Sequence, residues 1–189
     1  MTEKEINITK EFAEKYKVKE AFLQLEKDFQ DQTQQFRKYW HNFEPDALSQ
    51  AIGYFQEAAL RAMLNDINIE NRCGNPKNIN EDDIIIEKYL QDSIESKGSH
   101  RKYTKKRGQI QVVSWYTARS GKADRKVNFI LSEFEYIKDK KDFMNDKFIY
   151  HKIYISYQMI SYNDITSTNI SENFIKDKSI LIELHKDEE

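Results

Sequence analysis

The sequence predicts an α+β domain, with about three N-terminal helices packed on one face of a C-terminal antiparallel meander of about four strands. Three observations carry this. Apolar residues recur at spacings of three and four through the first half. The repeat shortens to two beyond about residue 108. Both prolines and four of the five glycines fall at boundaries between the predicted elements. A chain of 189 residues can bury one core without disulfide or metal, so a single domain is expected. Its helical part covers about 9–97, a basic connector about 98–108, and the β-sheet part about 109–185.

From Thr9 the residues Phe12, Tyr16, Phe22, Leu25, Phe29, Phe36, Trp40 and Phe43 form one helical stripe, predicting one long helix or two joined end to end. Pro45 fits a first turn and not a helix interior, so a second helix starts there and carries Leu48, Ile52, Phe55, Ala59 and Met63. Gly74 and Pro76 stop it. Asn80 reads as an N-cap, with Glu81, Asp82 and Asp83 complementing the positive end of a third helix. Ile85, Ile86, Tyr89, Leu90 and Ile94 supply its buried side, and Gly98 its stop.

Gln109–Thr117 alternates as a central strand, Arg119–Arg125 reads as a hairpin loop around Gly121, and Val127–Ile137 returns with Ile130, Phe134 and Tyr136 on one face. Phe148–Tyr162 is the longest strand candidate. Its odd-numbered face, Ile149 to Met159 with His151, is expected to meet the helices. Ser179–Leu184 closes the sheet.

The net charge of −2 conceals a dipole along the chain. Residues 97–126 hold ten Lys or Arg (Lys97, Arg101, Lys102, Lys105, Lys106, Arg107, Arg119, Lys122, Arg125, Lys126) against Asp124 alone. Four of the seven arginines lie there, and an arginine fork suits phosphate better than an ammonium does. With Tyr103 among them, these residues are the candidate binding strip. Counterion release would reward phosphate contact, and an aromatic set among cations can stack an unpaired base, favouring RNA over DNA.

Catalytic signals are weak by comparison. The histidines 41, 100, 151 and 185 show no metal-helix spacing, and His151 reads as a hydrogen-bonded core residue. Arg37 and His41 stand one helical turn apart, but Trp40 and Phe43 mark that region as packing. Cys73, alone, excludes an intrachain disulfide or cysteine zinc site and reads as a partly buried, inert thiol. The glycines are too dispersed for a phosphate-cradling loop, and helix capping accounts for Asp82 and Asp83. No catalytic residue, metal or cofactor is assigned. No 18-residue apolar run or signal-peptide core is present, so a cytoplasmic location without membrane contact is expected. The expected function is non-enzymatic engagement of RNA or a nucleoprotein through the connector and hairpin loop. The alternatives are a protein-partner module, such as an inhibitor or accessory factor of a nucleic-acid-processing enzyme, and an enzyme with a pocket between sheet and helices.

Overall fold

A computed structural model of the chain describes residues 1–75, 77–78, 80–101, 107–112, 116 and 124–185. The class is α+β, with five helices and eight strands among the described residues. The expected first helix is three. Helix α1 (Glu3–Lys15) begins with a reciprocal capping box between Thr2 and Glu5. Lys17 takes a left-handed φ of 51° and ends that run before α2 (Val18–Gln30). Thr33 then caps α3 (Gln34–His41). Helix α4 (Pro45–Asp66) starts at Pro45, as its ring geometry requires.

The largest correction concerns residues 80–97, where the expected third helix is instead two strands and a tight turn. Ile84–Ile86 is β2, pairing antiparallel with β1 (Asn71–Cys73). Leu90–Asp92 is a single 3-10 turn, and Ile94–His100 is β3. Three consecutive β-branched residues, all buried, favour a strand, and an isoleucine spacing that mimics a helix arises because Ile84 pairs with Ile94 across the turn. Gly98 does not stop a helix. It lies mid-strand under the Phe134 ring, where an added Cβ would sit 3.1 Å from Cε1.

The sheet also differs from the expected four-strand meander. Six strands run in the order β1-β2-β3-β5-β6-β8, with β5 (Lys126–Ile137), β6 (Lys147–Ser161) and β8 (Ile180–Glu183). Strand β3 is parallel to β5, and the other pairs are antiparallel. With β3 on one edge of β5 and β6 on the other, β5 has no edge left for a hairpin with residues 109–117. Gln109–Gln111 forms β4 and pairs with β7 (Asn169–Ser171) in a separate two-stranded sheet. Val113 and Trp115 lie outside the described residues.

Both faces of the large sheet are covered. The helices pack Phe12, Phe22, Phe29, Trp40 and Ile52 against Ile130, Phe134, Tyr150 and Ile153. On the far face Phe129, Leu131, Tyr154, Ile160 and Tyr162 pack with Ile110 of β4, Ile170 of β7 and Ile175 of α5 (Glu172–Lys178). Fully burying each such side chain stabilises by about 1.5–3 kcal/mol. Ile130, Phe134 and Tyr136 do share the helix-side cluster, as expected. The expected odd-numbered face of β6 is corrected: Phe148 and Tyr150 face the helices, then Ile153 and Ile155 do. The register shifts between Glu133 and Phe134, opposite Lys152 and Tyr150, leaving His151 as the extra residue of a β-bulge that reverses the alternation.

Candidate cation site at the strand crossover

The register that pairs Ile84 with Ile94 sets Asp83 across from Glu95 at the junction of β2 and β3. Two carboxylates opposed across a ladder repel unless a cation lies between them. Lys97 supplies it, because a residue two further along a strand emerges on the same face. Its Nζ stands 2.7 Å from Asp83 Oδ2 and 3.0 Å from Glu95 Oε1. It also donates to the Ser96 carbonyl at 2.9 Å. Three oxygens, two from carboxylates and one from the main chain, thus converge on one positive charge. Burial works against the ammonium, but Glu95 and Asp83 outweigh it and hold Lys97 above the ordinary lysine range.

The surroundings fix this geometry. The Ser96 N–H donates to Asp83 Oδ2 at 3.0 Å. On the preceding strand, Gly74 N–H donates to Asp83 O at 2.9 Å, and an added Cβ there would stand 1.7 Å from Asp82 O, so glycine is required. Asp82 receives the Arg125 guanidinium at 2.6 and 3.2 Å, tying the turn before β2 to the start of β5. Burial, with the Glu95 charge beside it, holds the Tyr162 phenol above its ordinary range. From α4, buried Gln56 donates to Ser96 Oγ at 2.7 Å. Its neighbour Glu57 is pushed up to about 7 by burial and by Asp83 and Glu95, against the opposing pull of Lys97.

Of the strip residues expected to bind a partner, Lys97 is the centre of this cluster, with a side chain 15% exposed. Arg101 lies against the His151 ring, its Nη1 3.0 Å from Nε2, and Arg125 pairs with Asp82. Arg107 and Lys126 are exposed. Lys102, Tyr103, Lys105, Lys106, Arg119 and Lys122 lie outside the described residues. His151 is half-buried at the bulge and also reaches Glu135 at 3.2 Å, so it is a hydrogen-bonded polar contact rather than a member of the apolar core.

Two other sequence readings resolve into packing or surface chemistry. Arg37 donates to the carbonyls of Met144 and Asp146 at 2.7 and 2.6 Å, and His41 Nδ1 stands 2.8 Å from Asp146 Oδ2. Together they strap α3 to the turn before β6. Cys73 is exposed rather than partly buried, with Arg61 Nη1 2.7 Å from its sulfur.

Asp83, Glu95 and Glu57 are absent from the sequence-based candidates. The signal available for them was an acid immediately before Ile84–Ile86 and the alternation Glu95-Ser96-Lys97. Among the described residues no three His, Cys, Asp or Glu side chains gather as a metal site, and no helix is long and apolar enough to cross a membrane. The oxygen set here has a carbonyl as its third member and an ammonium at its centre. No family model matches the chain, and no curated protein or solved structure matches it either.

Proposed function

We propose that this chain is a divalent-cation-dependent nuclease that hydrolyses phosphodiester bonds, with Asp83, Glu95 and Lys97 at its centre. The observation that carries the reading is the convergence of Asp83 Oδ2, Glu95 Oε1 and Ser96 O within 3.0 Å of one cationic atom. This all-oxygen, doubly anionic donor set matches Mg²⁺ or Mn²⁺ and not a soft metal. The Lys97 ammonium occupies that position, and a divalent ion would bind by displacing it. Asp83, Glu95 and the Ser96 carbonyl would hold the ion, whose chemistry is to polarise a phosphoryl oxygen and acidify a bound water.

The remaining steps belong to the protein. Released from the carboxylates, Lys97 is placed to stabilise negative charge developing on the phosphoryl group. Glu57, raised to about 7 by burial and by Asp83, is suited to accept the proton of the attacking water. The water oxygen bonds to phosphorus, the bond from phosphorus to the leaving oxygen breaks, and that oxygen takes the proton that Glu57 accepted. Only eleven residues separate Asp83 from Glu95, and the basic strip begins at Lys97 itself. The exposed Arg107 and Lys126 belong to that strip, which supports nucleic acid as the substrate. The reading keeps the partner expected from the charge pattern, with RNA favoured over DNA, and adds chemistry to it.

The test uses labelled single- and double-stranded RNA and DNA, incubated with Mg²⁺, Mn²⁺ or chelator. Metal-dependent cleavage is expected, with Asp83→Asn and Glu95→Gln each lowering the rate by at least about 100-fold in variants that remain folded. Binding without cleavage under every metal would return the chain to a non-enzymatic binder of nucleic acid. Failure of both, with recovery of a specific acidic protein in a pull-down, would make it a partner module.

A further inference from the structure

We propose that the helical layer contains a second ligand site, a cavity walled by aromatic rings that takes a small hydrophobic cation of the arylalkyl- or alkylammonium class. The cavity lies between α2, α3, α4 and β6 and has a volume of about 160 Å³. Apolar voids of about 150 Å³ accommodate a benzene ring. Protein interiors otherwise close-pack, so a space this large among large side chains is a feature to be explained.

Its walls are Phe29, Trp40, Phe55 and Phe148. Phe29 meets Trp40 edge-on at 5.4 Å, Phe148 stands 5.5 Å from Phe29, and Phe55 stands 5.5 Å from Trp40. Phe29, Trp40 and Phe148 are buried, whereas Phe55 is 49% exposed, so the opening lies on its side. Ring faces carry negative charge and attract cations.

The polar members of the lining point the same way. Asp28 is the charged one, and its carboxylate is steadied by Gln24 Nε2 at 2.7 Å. Gln32 is the other, and its Oε1 is buried with no hydrogen-bond partner among the described residues. A ligand donating a hydrogen bond there and carrying positive charge towards Asp28 satisfies both. Arg37 lies 5.7 Å from the Phe29 ring, but it is outside the lining, and its Nη atoms are engaged by Gln30, Met144 and Asp146. It does not neutralise Asp28. The inference is independent of the proposed nuclease chemistry, since none of these residues belongs to the cation site.

Three probes of similar shape test it: 2-phenylethylammonium, toluene and 3-phenylpropionate. Each is titrated by thermal shift and by Trp40 fluorescence in a Trp115→Phe background. The ammonium should bind at least about tenfold tighter than toluene, and the carboxylate more weakly than both. Asp28→Asn, an exposed change, should bring the ammonium down to the level of toluene. Ile52→Phe, which fills the cavity, should abolish binding of all three if far-ultraviolet circular dichroism shows it folded. Equal binding of ammonium and carboxylate, an undiminished ammonium preference in Asp28→Asn, or no saturable binding by any probe would each overturn the proposal.

Discussion

Replacing Lys97 by Met removes the ammonium shared by Asp83 and Glu95 while keeping most of the side-chain volume. Removing one partner of a buried ion pair costs about 3–5 kcal/mol, because the other charge is left desolvated. Glu95 is 4% exposed, but Asp83 is 24% exposed and partly rehydrates, so the lower end, about 3 kcal/mol near pH 8, is expected. In the variant the two carboxylates facing each other acquire raised folded-state pKa values. The native state then binds more protons than the unfolded one, and stability falls as pH rises. Urea unfolding should therefore find Lys97→Met close to the unaltered chain near pH 5 and far below it near pH 8. Magnesium supplies the missing charge without displacing an ammonium, so it should stabilise the variant more than the unaltered chain, by about 2.7 kcal/mol at 100 times its dissociation constant. A variant of unaltered stability near pH 8, or one that magnesium does not stabilise, would refute the assignment of this cluster as a cation locus.

Two further perturbations address the same region. Because burial and Asp83 hold Glu57 up to about 7 instead of 4.5, the native state should lose stability as pH climbs through that window, by at most about 3 kcal/mol. In Glu57→Gln that loss should vanish, together with the rise in cation affinity through pH 7; unchanged profiles by urea titration and calorimetry would exclude Glu57 from the site. Gly98→Ala places a methyl 3.1 Å from the Phe134 ring and 3.4 Å from Gln56 Oε1, so it should cost about 1–3 kcal/mol in chemical denaturation, and a neutral result would show that the ring has room to move.

Periodicity served well where one element lies on one surface. Pro45 marked the start of α4, and the face shared by Ile130, Phe134 and Tyr136 follows from plain alternation along β5. It failed where the backbone departs from its own period. The stripe from Phe12 to Phe43 is divided among three helices, first at Lys17, whose left-handed conformation no apolar spacing announces, and again at the Thr33 cap. The faces of β6 exchange at His151 because the bulge adds a residue, and a period-two count cannot register an insertion on one strand of a pair. Parallel pairing of β3 with β5 depends on a crossover spanning residues 101–125, a long-range choice that local patterns do not encode.

The candidate site escaped sequence reading for one reason, the helical reading of residues 80–97. On a helix, Asp82 and Asp83 become first-turn acids with an adequate capping role, while Glu95 and Lys97 point roughly 200° apart and do not meet. On a strand those same two residues share a face, and the turn at Leu90–Asp92 folds them back against Asp83. Period alone therefore decides whether Asp83, Glu95 and Lys97 are scattered along a helix or gathered around one point. The composition of this stretch favoured the strand: Ile84–Ile86 is entirely β-branched, and Gly98 is poorly suited to a helix interior. Lys97 was singled out for its charge and read as the first cation of the candidate binding strip. Its environment also makes it the counter-ion of Asp83 and Glu95, and the rest of the strip follows where the chain leaves β3 after His100. A segment proposed to attract phosphates thus follows directly on two carboxylates that would repel them. That juxtaposition favours nucleic acid binding only when a divalent cation has reversed the local charge, which makes magnesium-dependent affinity, and not affinity alone, the property expected of the proposed site.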